Sequence, residues 1–142
     1  MAPSGRIREL GIILLLGCAM ALGTAPGLAT AAGACGHLDK MTKAELTAAQ
    51  DAGARIVLAF GADWCPTCSR QGALLTRLAN ELPECGLLLV HLDYDENKEL
   101  ARSVGVREQG TLVGLHGSQE VARLVGVSDM ASIRAFLDKV RE

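Results

Sequence analysis

The sequence predicts one α/β domain, a central mixed sheet flanked by helices, preceded by a short targeting segment. Three observations carry that prediction. Two continuous apolar runs, Ile56-Val57-Leu58-Ala59-Phe60 and Leu87-Leu88-Leu89-Val90, have the length and branching of strands buried on both faces. Leu74, Leu75, Leu78 and Leu82, and later Ile133, Phe136, Leu137 and Val140, recur at helical spacing. The apolar runs alternate with these stripes until Thr111, where two strands follow each other and return antiparallel. At 142 residues, 49% of them apolar, the chain suffices for one domain with a proper core.

In chain order, residues 1–31 come first. Arg6 and Arg8 precede an uncharged apolar stretch from Gly11 to Leu22, and Ala29-Thr30-Ala31 is a small-x-small cleavage pattern. The segment is therefore expected to be a secretory signal peptide, which makes residues 32–142 the mature domain and its place periplasmic or secreted. Two alternatives lead to the same compartment. Leu15-Leu16-Gly17-Cys18 reads as a lipobox with Cys18 lipidated, and Gly11 to Leu28 is about the minimum length for an uncleaved anchor. The net charge of −2 offers no electrostatic attraction for nucleic acid or an anionic membrane.

A first strand is expected near His37 and Leu38. Thr42-Lys43-Ala44-Glu45 fits a capping box that opens a packing helix ended by Gly53. Arg55 to Phe60 is the first central strand, and the Leu74 to Leu82 stripe belongs to a helix that ends at Pro83. Gly86 to Val90 is the second central strand, running on through His91-Leu92-Asp93. Glu96 to Val104 reads as a short charged helix, and Thr111 to Leu115 and Glu120 to Val125 as a hairpin about His116-Gly117-Ser118-Gln119. Ser128 is expected to cap the final helix.

The chemistry concentrates in Phe60-Gly61-Ala62-Asp63-Trp64-Cys65-Pro66-Thr67-Cys68, where the first central strand gives way to the helix. The unpaired N–H groups and positive dipole end of a helix N-terminus favour a thiolate at Cys65. Cys68, one turn inside, can reach it to close a disulfide. The pair can thus cycle, Cys65 attacking a substrate disulfide and Cys68 resolving the mixed disulfide. A lone Cys-x-x-Cys also suits a metal. A closed zinc site needs four ligands, and no bound metal or diffusible cofactor is expected, although two soft thiolates suit copper(I).

Phe-x-Ala-Asp-Trp-Cys-x-x-Cys resembles the active-site signature of the thioredoxin superfamily, and Cys-Pro-Thr-Cys is similar to the pair in periplasmic thioredoxin-like reductants of cytochrome c maturation. The order of elements from about His37 to Val140 follows the same family. The resemblance implies a thioredoxin fold and an exported thiol-disulfide oxidoreductase acting on protein disulfides as a monomer. Cys65 and Cys68 would be its catalytic, redox-active pair, with Trp64 and the backbone of Gly110 and Thr111 as substrate platform. It also implies a membrane thiol-electron transporter as the source of reducing equivalents. In the thioredoxin-like arrangement Cys35 and Cys85 precede adjacent parallel strands, which makes them candidates for a structural disulfide; two free thiols are the plainer reading. The alternative function is a copper-binding or non-catalytic interaction domain of the same fold.

Three departures from the family pattern bear on mechanism. Gly110 stands where a cis-proline usually precedes the threonine, and a cis bond is not expected without proline. Ala59 stands where thioredoxin has a buried aspartate beneath the resolving cysteine; Asp63 is the nearest carboxylate in sequence and His91 the histidine closest to that end of the sheet. Pro66-Thr67 adds no cation between the cysteines, which favours a reductant or disulfide carrier over a strong oxidant.

Overall fold

The computed structural model describes residues 35–82 and 84–142. The signal segment expected over residues 1–31, with its alternatives at Cys18 and over residues 11–28, lies outside these, as does Pro83.

Among the described residues nine elements follow one another: β1 (Gly36–Leu38), α1 (Lys43–Asp51), β2 (Arg55–Gly61), α2 (Pro66–Glu81), β3 (Leu87–Asp93), α3 (Lys98–Ser103), β4 (Thr111–His116), β5 (Gln119–Val125) and α4 (Met130–Arg141). The strands form one sheet in the order β1-β3-β2-β4-β5. β1, β3 and β2 run parallel, while β4 is antiparallel to β2 and β5 to β4. This is the mixed sheet expected from helical crossovers followed by a tight hairpin.

Alternation along β2 divides the core. Val57 and Ala59 face Leu75 and Leu78 of α2 and Ile133, Phe136, Leu137 and Val140 of α4. Ile56, Leu58 and Phe60 face the other side, with Leu46 of α1, Leu100 of α3 and Val90 and Leu92 of β3. β2 is buried on both faces from Ile56 to Phe60, which is why it reads as an unbroken apolar run. Gly114 lets α4 press on β4, since a Cβ there would lie 2.2 Å from Val140 Cγ2.

The Thr42 capping box forms as expected, with the Thr42 hydroxyl accepting from Glu45 N–H and the Glu45 carboxylate accepting from Thr42 N–H. Three boundaries differ. The cap of α4 is Asp129, not Ser128: its Oδ1 accepts from Ser132 N–H at 2.9 Å, an ionised acceptor at the positive end of the dipole. α3 begins at Lys98, because Asp93 Oδ1 accepts from Glu96 N–H and the Asp93 carbonyl from the Asn97 amide, holding the preceding residues in a turn. The hairpin is tighter than expected, with Gly117 and Ser118 alone between β4 and β5.

Candidate active site

β2 ends at Gly61, and the chain turns through Ala62 to Cys65, whose N–H donates to the Ala62 carbonyl at 3.0 Å. Cys65 is the N-cap of α2, extended at φ −100° and ψ 102°, and Pro66 occupies the first turn with a φ suited to it. The sulfur takes the place of the usual capping oxygen: Cys65 Sγ accepts from Cys68 N–H at 3.2 Å. Cys65 and Cys68 are joined as a disulfide, their Cα atoms 5.3 Å apart. Exposure distinguishes them, for Cys65 is partly exposed whereas Cys68 is 7% exposed.

Beside the pair, Trp64 is 65% exposed, and its indole N–H donates to Asp95 Oδ2 at 3.1 Å. That bond, together with Lys98, holds the Asp95 carboxyl below the usual carboxylate range. The tryptophan is thus tethered at its polar edge with its apolar face free. Asp63 is exposed at the rim of the cleft described below.

Gly110 lies against the other side of the pair. Its φ is +73°, a left-handed value natural only to glycine, and no peptide bond among the described residues is cis. A Cβ on Gly110 would lie 3.7 Å from Cys68 Sγ, so the glycine backs Cys68. Its N–H donates to the Phe60 carbonyl at 2.7 Å, and its carbonyl accepts from Gly126 N–H and Gln71 Nε2 at 2.9 and 3.1 Å. The next residue, Thr111, is 1% exposed, paired to Phe60 and Val125, with its hydroxyl donating to the Glu108 carbonyl. Gly110 and Thr111 sit next to the dithiol, but the polar groups of Gly110 are spent within the fold. A substrate platform there offers close contact and space, not hydrogen bonds from Gly110.

Gln71 is a site residue that the sequence reading passed over. It is 2% exposed, and Nε2 donates to the Gly110 and Val127 carbonyls at 3.1 and 2.7 Å, tying α2 to the loops before β4 and before α4. The signal was present, since residues 71, 75 and 78 fall on one buried stripe and a lone polar residue there must find partners inside. Asp95 was not legible in this way, being 31 residues from Trp64 and in a charged turn.

Beneath Cys68 an open cleft of about 740 Å³ separates α2 from the ends of β2 and β3. Ala59, 7% exposed, is part of its wall, and the titratable side chains on it are Asp63, Cys68, Arg77, His91 and Asp93. The other two cysteines among the described residues, Cys35 and Cys85, are remote from this end. Cys35 and Cys85 precede the paired strands β1 and β3 and are joined as a disulfide, their Cα atoms 5.2 Å apart. Of the remaining histidines, His37 and His116 are exposed. Among the described residues no group of three or more His, Cys, Asp or Glu could hold a metal ion, and no helix is long and apolar enough to cross a membrane.

A two-cysteine strand-to-helix turn on this mixed sheet defines a dithiol–disulfide redox protein. Comparison with known proteins names the family: the thioredoxin model matches residues 34–139, and the chain belongs to the thioredoxin family. Similar sequences include a thioredoxin of Chlamydia pneumoniae, 31% identical over 59% of this chain and 80% of its own, and a thioredoxin H-type of Oryza sativa subsp. indica, 29% identical over 66% and 74%. Among solved structures, Trxlp from Edwardsiella tarda EIB202 is 31% identical, covers 70% of this chain and 97% of its own, and superposes with a TM-score of 0.63. Thioredoxin NaTrxh from Nicotiana alata, 21% identical over 77% and 96% of the two chains, shares the fold with a TM-score of 0.65. The protein is a disulfide oxidoreductase in the general sense these relatives define.

Proposed function

We propose that this chain is an exported thiol-disulfide oxidoreductase that reduces or relays disulfides of protein substrates through Cys65 and Cys68. The observation that carries the reading is the unequal placement of the two sulfurs. Cys65 caps α2, accepts Cys68 N–H and is open to a partner, whereas Cys68 is buried behind it. A thiolate on Cys65 keeps that N–H and gains the helix dipole, so it attacks the substrate disulfide. Cys68 then displaces the substrate from the mixed disulfide and leaves with Cys65 as the oxidised pair. The exposed face of Trp64 supplies apolar contact to an extended substrate next to Cys65.

The direction follows from what surrounds the thiols. Pro66 and Thr67 bring no cation to the helix N-terminus, and no acidic or basic residue lies in the first turn up to Cys68. The reduced form therefore lacks the extra stabilisation of a strong oxidant, which favours a reductant fed by a membrane thiol-electron transporter. Export is supported by the signal pattern over residues 1–31 and by a second disulfide far from the active pair, a feature of oxidising compartments. The domain acts as a monomer, and dithiol exchange requires no cofactor.

A disulfide-reduction assay tests the reading. The full chain, supplied with a dithiol donor, should turn over a protein disulfide, and Cys65→Ser and Cys68→Ser should each abolish turnover. Equal rates for the wild type and both variants would rule the enzyme out. Stoichiometric copper(I) capture without turnover would favour a metal-binding domain instead.

A further inference from the structure

Resolution requires the buried Cys68 thiol to lose its proton, and the cleft beneath it has a wall of alanine where a carboxylate would serve. Of the titratable groups on that cleft, Asp63 is exposed at the rim, and Asp93 Oδ1 is occupied by Glu96 N–H. Arg77 is a cation engaged by Glu81 at 3.0 Å. His91 remains. It is paired in register with Ala59 on the neighbouring strand, so both side chains lie on the α2 face of the sheet. Its ring lies under Gly72, one helical turn beyond Cys68, and a Cβ on that glycine would be 3.9 Å from Nδ1. Nδ1 and Cε1 are thus the ring atoms that border Gly72.

We propose that His91 is the proton acceptor for Cys68 in the resolving step, reached through water in the cleft between α2 and the ends of β2 and β3. The inference rests on the dithiol reading above. In the step, the Cys68 S–H bond breaks and its proton passes through water to the imidazole. Cys68 Sγ bonds to Cys65 Sγ, the bond from Cys65 to the substrate sulfur breaks, and the electron pair leaves on the substrate as a thiolate. The imidazolium returns the proton to solvent or to that thiolate. The pair is oxidised by two electrons and the substrate disulfide is reduced to two thiols.

The surroundings of His91 suit an acceptor. Thr76 Oγ1 lies 3.5 Å from Nε2; in the tautomer with the proton on Nε2 it accepts that hydrogen bond and Nδ1 carries the free lone pair. His37 of β1 stacks on the ring with centroids 6.5 Å apart. Burial first, then the His37 charge, pushes His91 below its ordinary value, against a weaker opposite pull from Asp39. Facing it are therefore His37 and Asp39 from the β1 side, Cys68, Thr76 and Arg77 from α2, Asp63 at the end of β2, and Asp93 on its own strand. The lowered pKa favours the uncharged ring, the form able to take a proton.

The test is single-turnover reaction of the full chain, its Cys65–Cys68 pair reduced, with dithiobis-nitrobenzoate, which releases one coloured thiolate on attack by Cys65 and a second on resolution by Cys68. His91→Ala and His91→Gln should slow the second release about tenfold or more at neutral pH, within the usual worth of acid–base catalysis. The first release, made by the partly exposed Cys65, should be preserved. Below neutral pH the wild-type second release should fall only as His91 is protonated, whereas in the variants it should follow thiolate abundance throughout. Added imidazole should restore His91→Ala. Wild-type second-release rates in both variants, a failure of imidazole to restore, or equal loss of both releases would overturn the role of His91. Absence of any release from the wild type would overturn the dithiol reading itself.

Discussion

Replacing Gly110 by proline should weaken the domain, even though proline is the residue the family pattern leads one to expect there. Gly110 has φ +73°, and its N–H donates to the Phe60 carbonyl at 2.7 Å within a buried strand junction. Alanine can occupy the space, since its Cβ would lie 3.7 Å from Cys68 Sγ and 3.8 Å from Gly126 Cα. Its cost is then the left-handed backbone alone, about 1–2 kcal/mol. Proline cannot take a positive φ and has no N–H, so the Phe60 carbonyl also loses its donor, a further penalty of about 1–3 kcal/mol. Gly110→Pro should therefore be less stable than Gly110→Ala, and Gly110→Ala less stable than the wild type. Urea unfolding of the oxidised proteins, followed by far-ultraviolet circular dichroism, measures both steps through the shift in midpoint at constant slope. Equal or greater stability of Gly110→Pro relative to Gly110→Ala would refute the argument, because it would mean the loop before β4 does not depend on this backbone.

Other perturbations have outcomes set by the same structure. Cys35→Ser removes a cross-link between residues separated by 50 positions, and chain entropy puts the loss at about 4 kcal/mol, read by thermal or urea unfolding with the Cys65–Cys68 pair unchanged. Gln71→Ala leaves the partly buried Val127 carbonyl without the amide that now donates to it and takes one donor from the buried Gly110 carbonyl, and should cost about 1–3 kcal/mol while loosening the contact between Gly110 and Cys68; alkylation of reduced Cys68 should become faster. Stability should decline on mild acidification through His91: its folded-state pKa lies below the unfolded value of about 6.5, so the unfolded chain binds the proton first. The loss begins as pH falls past that value and is complete below the folded-state pKa; in His91→Gln this part of the pH dependence should vanish. Asp95→Ala releases the Trp64 indole, which should shift Trp64 emission and raise the KM for protein disulfides without altering reaction with a small aromatic disulfide.

The parts of the fold that were legible in the sequence are those where one local signal dominates. β2 is buried on both faces and β3 nearly so, and Ile56 to Phe60 and Leu87 to Val90 announce themselves by composition. The α4 stripe maps directly onto the buried residues Ile133, Phe136, Leu137 and Val140. At α4 Ser128 and Asp129 are both good capping types, and only the backbone decides for Asp129. Cys65 and Cys68 could be placed from spacing alone. What surrounds them could not, because those contacts join distant parts of the chain: Trp64 to Asp95, Gln71 to Val127, and Ala59 to His91 across the sheet. Gly110 shows the limit of matching a residue to a family position. The sequence identifies the missing proline, but only the structure shows an N–H and a positive φ that proline could not supply.

The most direct test of the central claim is redox equilibration of the full chain, with the thiol state of Cys65 and Cys68 read by alkylation and mass. A reversible two-electron transition confined to that pair is predicted, with a midpoint nearer about −270 mV than about −120 mV, and Cys68→Ser should abolish it. A pair that shows no transition across that range would contradict dithiol cycling, and a midpoint near about −120 mV would contradict the assignment as a reductant.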